Sequence, residues 1–382
     1  MSQLIYLDNN SSTQVDEKVI EAILPFLSTN YANPNSPHQL GLEANDAVRI
    51  ARKQISELIG ATPNELVFTS GATEAINIAI KGVAENYSAK GRHIITVSTE
   101  HHAVLDTCHY LETKGFDITY LSVDSHGLIN LLALNDAIRD DTILVSVMYV
   151  NNEIGVIQPI KECARLSHSV NAIFLSDCTQ AVGKIPLNVD ELGIDLMCFS
   201  GHKIYAPKGI GVLYTRQRER KIELTPLFHG GGQERGLRSG TLNVSGIIAL
   251  GTACMLAQNN MKTDSQRISE LREFLELELL KLPNTYLNGS IENRIHNVTN
   301  ICFKGLDADI LIGKIKNVAV SNGSACTSST LEPSHVLKAI GLSDEDAFAS
   351  IRFSLGKFNT KHEIASVIKD YRDFVLNFNK KC

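Results

Sequence analysis

The chain has 382 residues, 43% of them hydrophobic, which exceeds the roughly 250–300 residues at which single cores stop growing, so two lobes are expected. Its 36 basic and 42 acidic residues leave a formal net charge of -6 without blocks of one sign, which argues against nucleic acid as a direct partner. There is neither a basic-then-apolar N-terminal segment nor a run of about eighteen apolar residues, so a cytoplasmic protein without membrane contact is expected.

Taken in chain order, Ile5 to Thr13 is an extended segment that joins one of the lobes. Seven apolar runs follow: Leu66 to Thr69, His93 to Val97, Thr119 to Leu121, Ile143 to Val147, Ala172 to Leu175, Leu196 to Phe199 and Gly211 to Tyr214. They alternate with helical patterns. Because the runs lack polar alternation, they suit strands covered on both faces, and the fold class is α/β with a mainly parallel seven-stranded sheet between helices. Ligands of such sheets bind beyond the carboxyl ends of the strands.

From about Met261 the pattern becomes a charged amphipathic helix, Ser265 to Lys281. A strand at Asn297 to Phe303, a glycine- and serine-rich loop and a final helix, His362 to Phe378, complete the chain. The expected division is a large domain at 15–260 and a smaller α+β domain made of 1–14 and 261–382, with the loop at about 321–334. None of the eight cysteines forms a C-x-x-C pair, so no metal site is expected and the thiols are read as reduced. Most have apolar neighbours, as in Met197-Cys198-Phe199, where an inert buried thiol is the expectation; Cys326 and Cys382 are the exceptions.

Lys203, in Ser200-Gly201-His202-Lys203, follows the run ending at Phe199. A desolvated lysine at a strand end is suited to a Schiff base with an aldehyde cofactor. Taken alone, a lysine is much more commonly an ordinary surface residue, so its company decides. Asp177 ends the preceding strand and can pair with a protonated pyridine nitrogen. Thr69-Ser70-Gly71-Ala72-Thr73-Glu74 is a glycine turn that opens a helix and can cradle phosphate, or simply cap that helix. His101, in Thr99-Glu100-His101-His102, can stack on a ring and move a proton, but a histidine at a helix start is also an ordinary cap, and spacing does not separate it from His102.

Further motifs are Tyr6-Leu7-Asp8-Asn9-Asn10, Asn33-Pro34-Asn35-Ser36, Asn151-Asn152-Glu153-Ile154-Gly155, the stretch HGGGQERGLRSGT at 229–241, SNGSACTSSTLEPS at 321–334 and IRFSLG at 351–356. With the segments above, they make the chain similar to the cysteine desulfurases of the NifS and IscS group, within the class V aminotransferase family of pyridoxal-phosphate (PLP) enzymes. The resemblance runs from about residue 5 to residue 375 and implies the fold type I architecture of PLP-dependent transferases.

By this resemblance Lys203 would hold PLP, Asp177 would pair with the pyridine nitrogen, Gln180 would hydrogen-bond the ring hydroxyl and His101 would stack on the ring. Ala72, Thr73, Ser200 and His202 would hold the phosphate, and Thr241 would reach the phosphate of a neighbouring subunit, which implies a homodimer. Asn152 and Arg352 would bind the carboxylate of L-cysteine. Cys326, in a small and polar loop of the length the IscS-like group has, would take the sulfur as a persulfide and pass it to an acceptor protein, leaving alanine. Lys203 and His101 would carry the protons.

Cys178 stands where the family usually has alanine, Ser11-Ser12 replaces Ala-Thr and Asn322 replaces a serine; none of these removes a catalytic group. The chain stops at Cys382, before the segment with which housekeeping members dock an iron–sulfur scaffold, which favours a NifS-like or other specialised sulfur donor. Competing expectations are a selenocysteine lyase, a plain aminotransferase, which has no need of a loop thiol, and a non-enzymatic sulfur-relay subunit. A dinucleotide-binding oxidoreductase is disfavoured because no G-x-G-x-x-G follows a strand.

Overall fold

The computed structural model describes residues 4–322 and 332–378. The chain opens with strand β1 (Ile5–Tyr6) and helices α1 (Glu17–Ser28) and α2 (Gln39–Ile59). An alternating stretch follows: β2 (Leu66–Thr69), α3 (Ala72–Asn86), β3 (His93–Val97), α4 (His102–Glu112), β4 (Asp117–Leu121), α5 (Leu131–Ala137), β5 (Thr142–Ser146) and α6 (Ile160–His168). Three strands close it, β6 (Ile173–Asp177), β7 (Leu196–Ser200) and β8 (Gly211–Thr215). The remainder is α7 (Val244–Leu279), β9 (Thr285–Leu287), β10 (Val298–Phe303), α8 (Ala308–Lys314), β11 (Val318–Ala319), α9 (His335–Ala339), α10 (Asp344–Phe348), β12 (Ser350–Ser354) and α11 (Lys361–Phe378).

The seven expected runs form one sheet in the order β2-β8-β7-β6-β5-β3-β4. Only β8 runs against the rest, being antiparallel to both β2 and β7, so the carboxyl ends of the other six strands share one edge. Side chains along each strand alternate between two cores, as the period of two requires. Val67, Ile94, Leu144, Leu175 and Leu213 meet α3 and α4 on one face. Phe68, Ile95, Val145, Phe174 and Val212 meet α2, α6 and the first part of α7 on the other. This double burial is the reason the runs show no polar alternation.

A three-stranded antiparallel sheet, β12-β10-β9, forms a separate core. Ile301, Phe303, Ile351 and Phe353 pack there on the second part of α7 and on α11, where the Tyr371 ring lies 5.1 Å from that of Phe353. The N-terminal segment belongs to this side: β1 pairs in parallel with β11, and Ile5 and Leu7 enter the same core.

One element differs from the sequence expectation. The helix expected from Ser265 is the second part of α7, a single helix of 36 residues that runs through residue 260 without a break. Its buried residues change cores along its length, from Ile247 to Cys254 in the sheet-facing core to Ile268 to Leu279 in the smaller one. No single apolar stripe therefore runs the length of the helix, and periodicity makes its second part stand out by itself.

Close backbone contact fixes the sheet edge that matters most. A Cβ on Gly211 would lie 2.6 Å from the Cα of Gly71 and 2.8 Å from the Phe199 carbonyl oxygen. Only glycine at 211 lets the turn after β2 approach the end of β7 this closely. Glu234, from the HGGGQER stretch, braces the same strand by accepting from the Phe68 N–H at 2.9 Å while pairing with Arg52 at 2.6 Å.

Candidate active site

The strand ends at the common edge surround a cavity of about 590 Å³. From the first turn of α3 come Ala72 and Thr73; from the N-cap of α4 after β3, His101; after β5, Asn152; from β6 and the turn behind it, Asp177 and Gln180. Ser200 ends β7, His202 and Lys203 follow it, and Arg352 enters from β12 of the smaller sheet. Ten residues nominated from sequence thus face one space. Thr241 does not line it, and Cys326 lies outside the described residues.

Each group is held in a definite way. Lys203 donates from Nζ to the backbone carbonyls of Asn10 at 2.6 Å and Ser11 at 2.7 Å. Asp177, buried at the strand end, accepts the Thr179 N–H at 2.9 Å. Gly71 caps α3 with no side chain, and the first intrahelical bond runs from the Ala75 N–H to the Gly71 carbonyl. The N–H groups of Ala72, Thr73 and Glu74 therefore have no acceptor within the helix, which suits them to an anion. The acid in that turn is already engaged: Glu74 accepts from the Ser70 N–H at 2.6 Å and from Arg238 Nε at 2.7 Å. Ser200 Oγ lies 3.4 Å from where a Cβ on Gly71 would stand, so the turn before α3 and the end of β7 adjoin.

His101 is both cap and cavity residue. Its Nδ1 accepts the Ala103 N–H at 3.0 Å, so the neutral ring carries its proton on Nε2. Burial holds its pKa below the usual imidazole value, with Lys203, His102 and His335 acting in the same sense and Asp177 opposing them. His102 turns away instead, its ring 4.8 Å from that of His335 and its Nδ1 3.6 Å from Asp106. Burial beside Lys203 likewise pushes His202 down to about 4.

Several participants were not singled out as site residues from sequence. Asn10, almost fully buried, accepts from Lys203 and from Gln180 Nε2 (3.0 Å) on its carbonyl, while its side chain donates to the Asn152 carbonyl and accepts from Asn297. Asp8 and Ser11 bind Arg352 at 2.8 and 2.7 Å. Glu100, buried next to His101 in the chain, has its carboxyl pushed well above the usual range by burial and then by the Asp177 charge. The polar run Asp8 to Ser12 after an apolar strand is a signal for the first group; a buried glutamate leaves none.

A primary amine, a carboxylate, an imidazole and an anion-binding turn around one cavity are the donor set that a phosphorylated pyridine aldehyde requires, and the residues fit PLP. The family model for aminotransferase class-V matches residues 5–367. The chain belongs to the class-V aminotransferases. Among this family's members, the cysteine desulfurase IscS of Serratia proteamaculans is 51% identical over 368 residues, which are 96% of this chain and 91% of the relative. Among solved structures, a NifS-like protein superposes with a TM-score of 0.92 at 37% identity, covering 98% of this chain and all of the other. The structure of SspA in complex with cysteine matches with a TM-score of 0.83 at 38% identity over 93% of this chain and 100% of that one. Within the class-V aminotransferases, this chain is a member of the NifS/IscS group of PLP-dependent cysteine desulfurases.

Proposed function

We propose that this chain converts L-cysteine to L-alanine and takes the sulfur onto Cys326 as a persulfide. The observation that carries the proposal is the convergence on one cavity of ten residues drawn from six separate segments. PLP, when bound, supplies the electron sink that makes the substrate Cα proton acidic.

The chain's own groups do the rest. Asp177 would pair with the pyridine nitrogen, Gln180 would donate to the ring hydroxyl, and the α3 turn with Thr73, Ser200 and His202 would hold the phosphate. Arg352 and Asn152 orient the substrate carboxylate. The Nζ of Lys203, poised on the Asn10 and Ser11 carbonyls, removes and returns the Cα proton. His101 Nε2 is the second proton carrier. The Cys326 thiolate attacks the substrate Sγ, so that the S–S bond forms as the Cβ–Sγ bond breaks, and the carbon takes up protons and leaves as alanine.

The thiols among the described residues support this choice of nucleophile. All six are buried and unpaired, and burial pushes Cys108 and Cys163 up to about 12 and Cys302 up to about 11, far from thiolate formation at neutral pH. Unpaired thiols also accord with a cytoplasmic setting, and among the described residues no helix is long and apolar enough to cross a membrane. The working unit is a homodimer in which Thr241 serves the phosphate bound in the other subunit. The persulfide passes to an acceptor protein, an iron–sulfur scaffold or a tRNA or DNA thiolation protein.

Incubating the purified protein with L-cysteine and measuring alanine, sulfide and the site of persulfidation tests the proposal. Cys326→Ser keeps the visible cofactor band and loses alanine formation; full activity in that variant, or persulfide on another cysteine, overturns the assignment.

A further inference from the structure

Behind the cavity, Lys184 follows the turn that carries Gln180. Its Nζ lies 2.5 Å from Gln180 Oε1. A protonated lysine only donates, so this contact assigns the amide: Oε1 faces Lys184 and the NH2 group is left pointing the other way. That NH2 group donates to the Asn10 carbonyl at 3.0 Å, the same oxygen that accepts from Lys203 Nζ at 2.6 Å. A continuous path, Lys184 to Gln180 to Asn10 to Lys203, therefore joins a second amine to the cofactor amine.

The electrostatic surroundings of Lys184 are cationic. Lys203, from the turn after β7, and Arg352, from β12, both act on it, and His296, just before β10, and His202 feel its charge in turn. Among the described residues no carboxylate forms an ion pair with it. Burial, then Lys203 and Arg352, lower its pKa to about 7, so it changes charge near neutrality.

We propose that Lys184 is a positioning residue of the cofactor site, locking the Gln180 amide with its donor side toward the ring hydroxyl and placing a second titratable cation beside the Lys203 attachment point. The inference rests on Lys203 being the residue that holds PLP. With the carbonyl of Gln180 held from behind, its NH2 group can leave Asn10 for a cofactor oxygen without the amide having to flip. The nearby positive charge disfavours protonation at the cofactor attachment, and this influence fades as Lys184 loses its own proton.

A pH titration of the visible absorption band of the PLP-loaded protein reads both effects. Lys184→Met is expected to raise the midpoint by on the order of one pH unit, a shift typical of removing one interacting charge, and to weaken PLP binding several-fold. Lys184→Arg, a permanent cation, restores the low midpoint. Should Lys184→Met fail to accumulate folded, Lys184→Gln, polar but uncharged, is titrated in its place and is expected to show the raised midpoint. Parent, Arg variant and uncharged variant sharing one midpoint overturns the inference. Lys203→Ala in the same assay separates the two levels: loss of its covalent band alongside an unchanged Lys184 variant sinks this inference alone, whereas a retained band sinks the reading of Lys203 too.

Discussion

Arg352 donates from Nη2 to Asp8 Oδ1 at 2.8 Å, an ion pair between residues 344 positions apart. The same guanidinium reaches Ser11 Oγ at 2.7 Å and the Asn152 carbonyl at 3.1 Å, and among the described residues its Nε has no partner. The N-terminal segment and β12 are thereby locked together by the guanidinium at the cavity wall. A lysine there keeps the charge and loses the planar fork. Arg352→Lys is expected to raise the KM for L-cysteine about tenfold or more, the loss of one charge-assisted bond of about 1.5–3 kcal/mol, with the PLP band intact. Steady-state kinetics on a range of cysteine concentrations measure this.

His101 is held neutral by burial. Its base form therefore persists below the ordinary imidazole value of about 6.5, and the acid limb of kcat for the parent protein lies below that pH. His101→Gln is expected to lower alanine formation by about 10²–10⁴-fold, the range for a lost proton carrier, and to abolish that limb. A kcat profile measured from pH 5 to 9 on both proteins decides the matter; an unchanged profile in the variant rules out His101 as a proton carrier.

Glu100 carries a folded pKa raised by burial, its Oε1 accepting the Met148 N–H and its Oε2 without a partner among the described residues. A carboxyl raised in this way opposes folding once the pH exceeds its unfolded value of about 4.3, and increasingly so until the folded pKa is passed. Glu100→Gln keeps the acceptor and removes the titration. Its Tm is expected to exceed that of the parent by about 2 °C or more at pH 8 and to match it near pH 4. Melting below the parent at both pH values is the contrary result.

Gly211 allows the turn after β2 to touch the end of β7, with 2.6 Å between its Cβ direction and the Cα of Gly71. Gly211→Ala must push the anion-binding turn away. The expected cost is about 1–3 kcal/mol of stability, together with a PLP dissociation constant raised more steeply than that of a surface control. Equilibrium dialysis against PLP, combined with thermal melting, checks both.

The α/β class and the seven strands were legible in the chain itself, because double-faced burial writes an uninterrupted apolar run wherever a central strand lies. So was the position of the motifs after those runs, since a sheet whose strands share a direction gathers their carboxyl ends at one edge. Tertiary structure decided the rest. It separated His101 from His102, adjacent residues that differ only in which way a helix start faces. It ran α7 through residue 260, where the buried face changes partner and the periodicity fades. It also supplied the Asn10 carbonyl as the meeting point of Lys203 and Gln180. A backbone oxygen has no residue identity to read, and its partners stand 193 and 170 positions along the chain. Only folding brings them within hydrogen-bond reach.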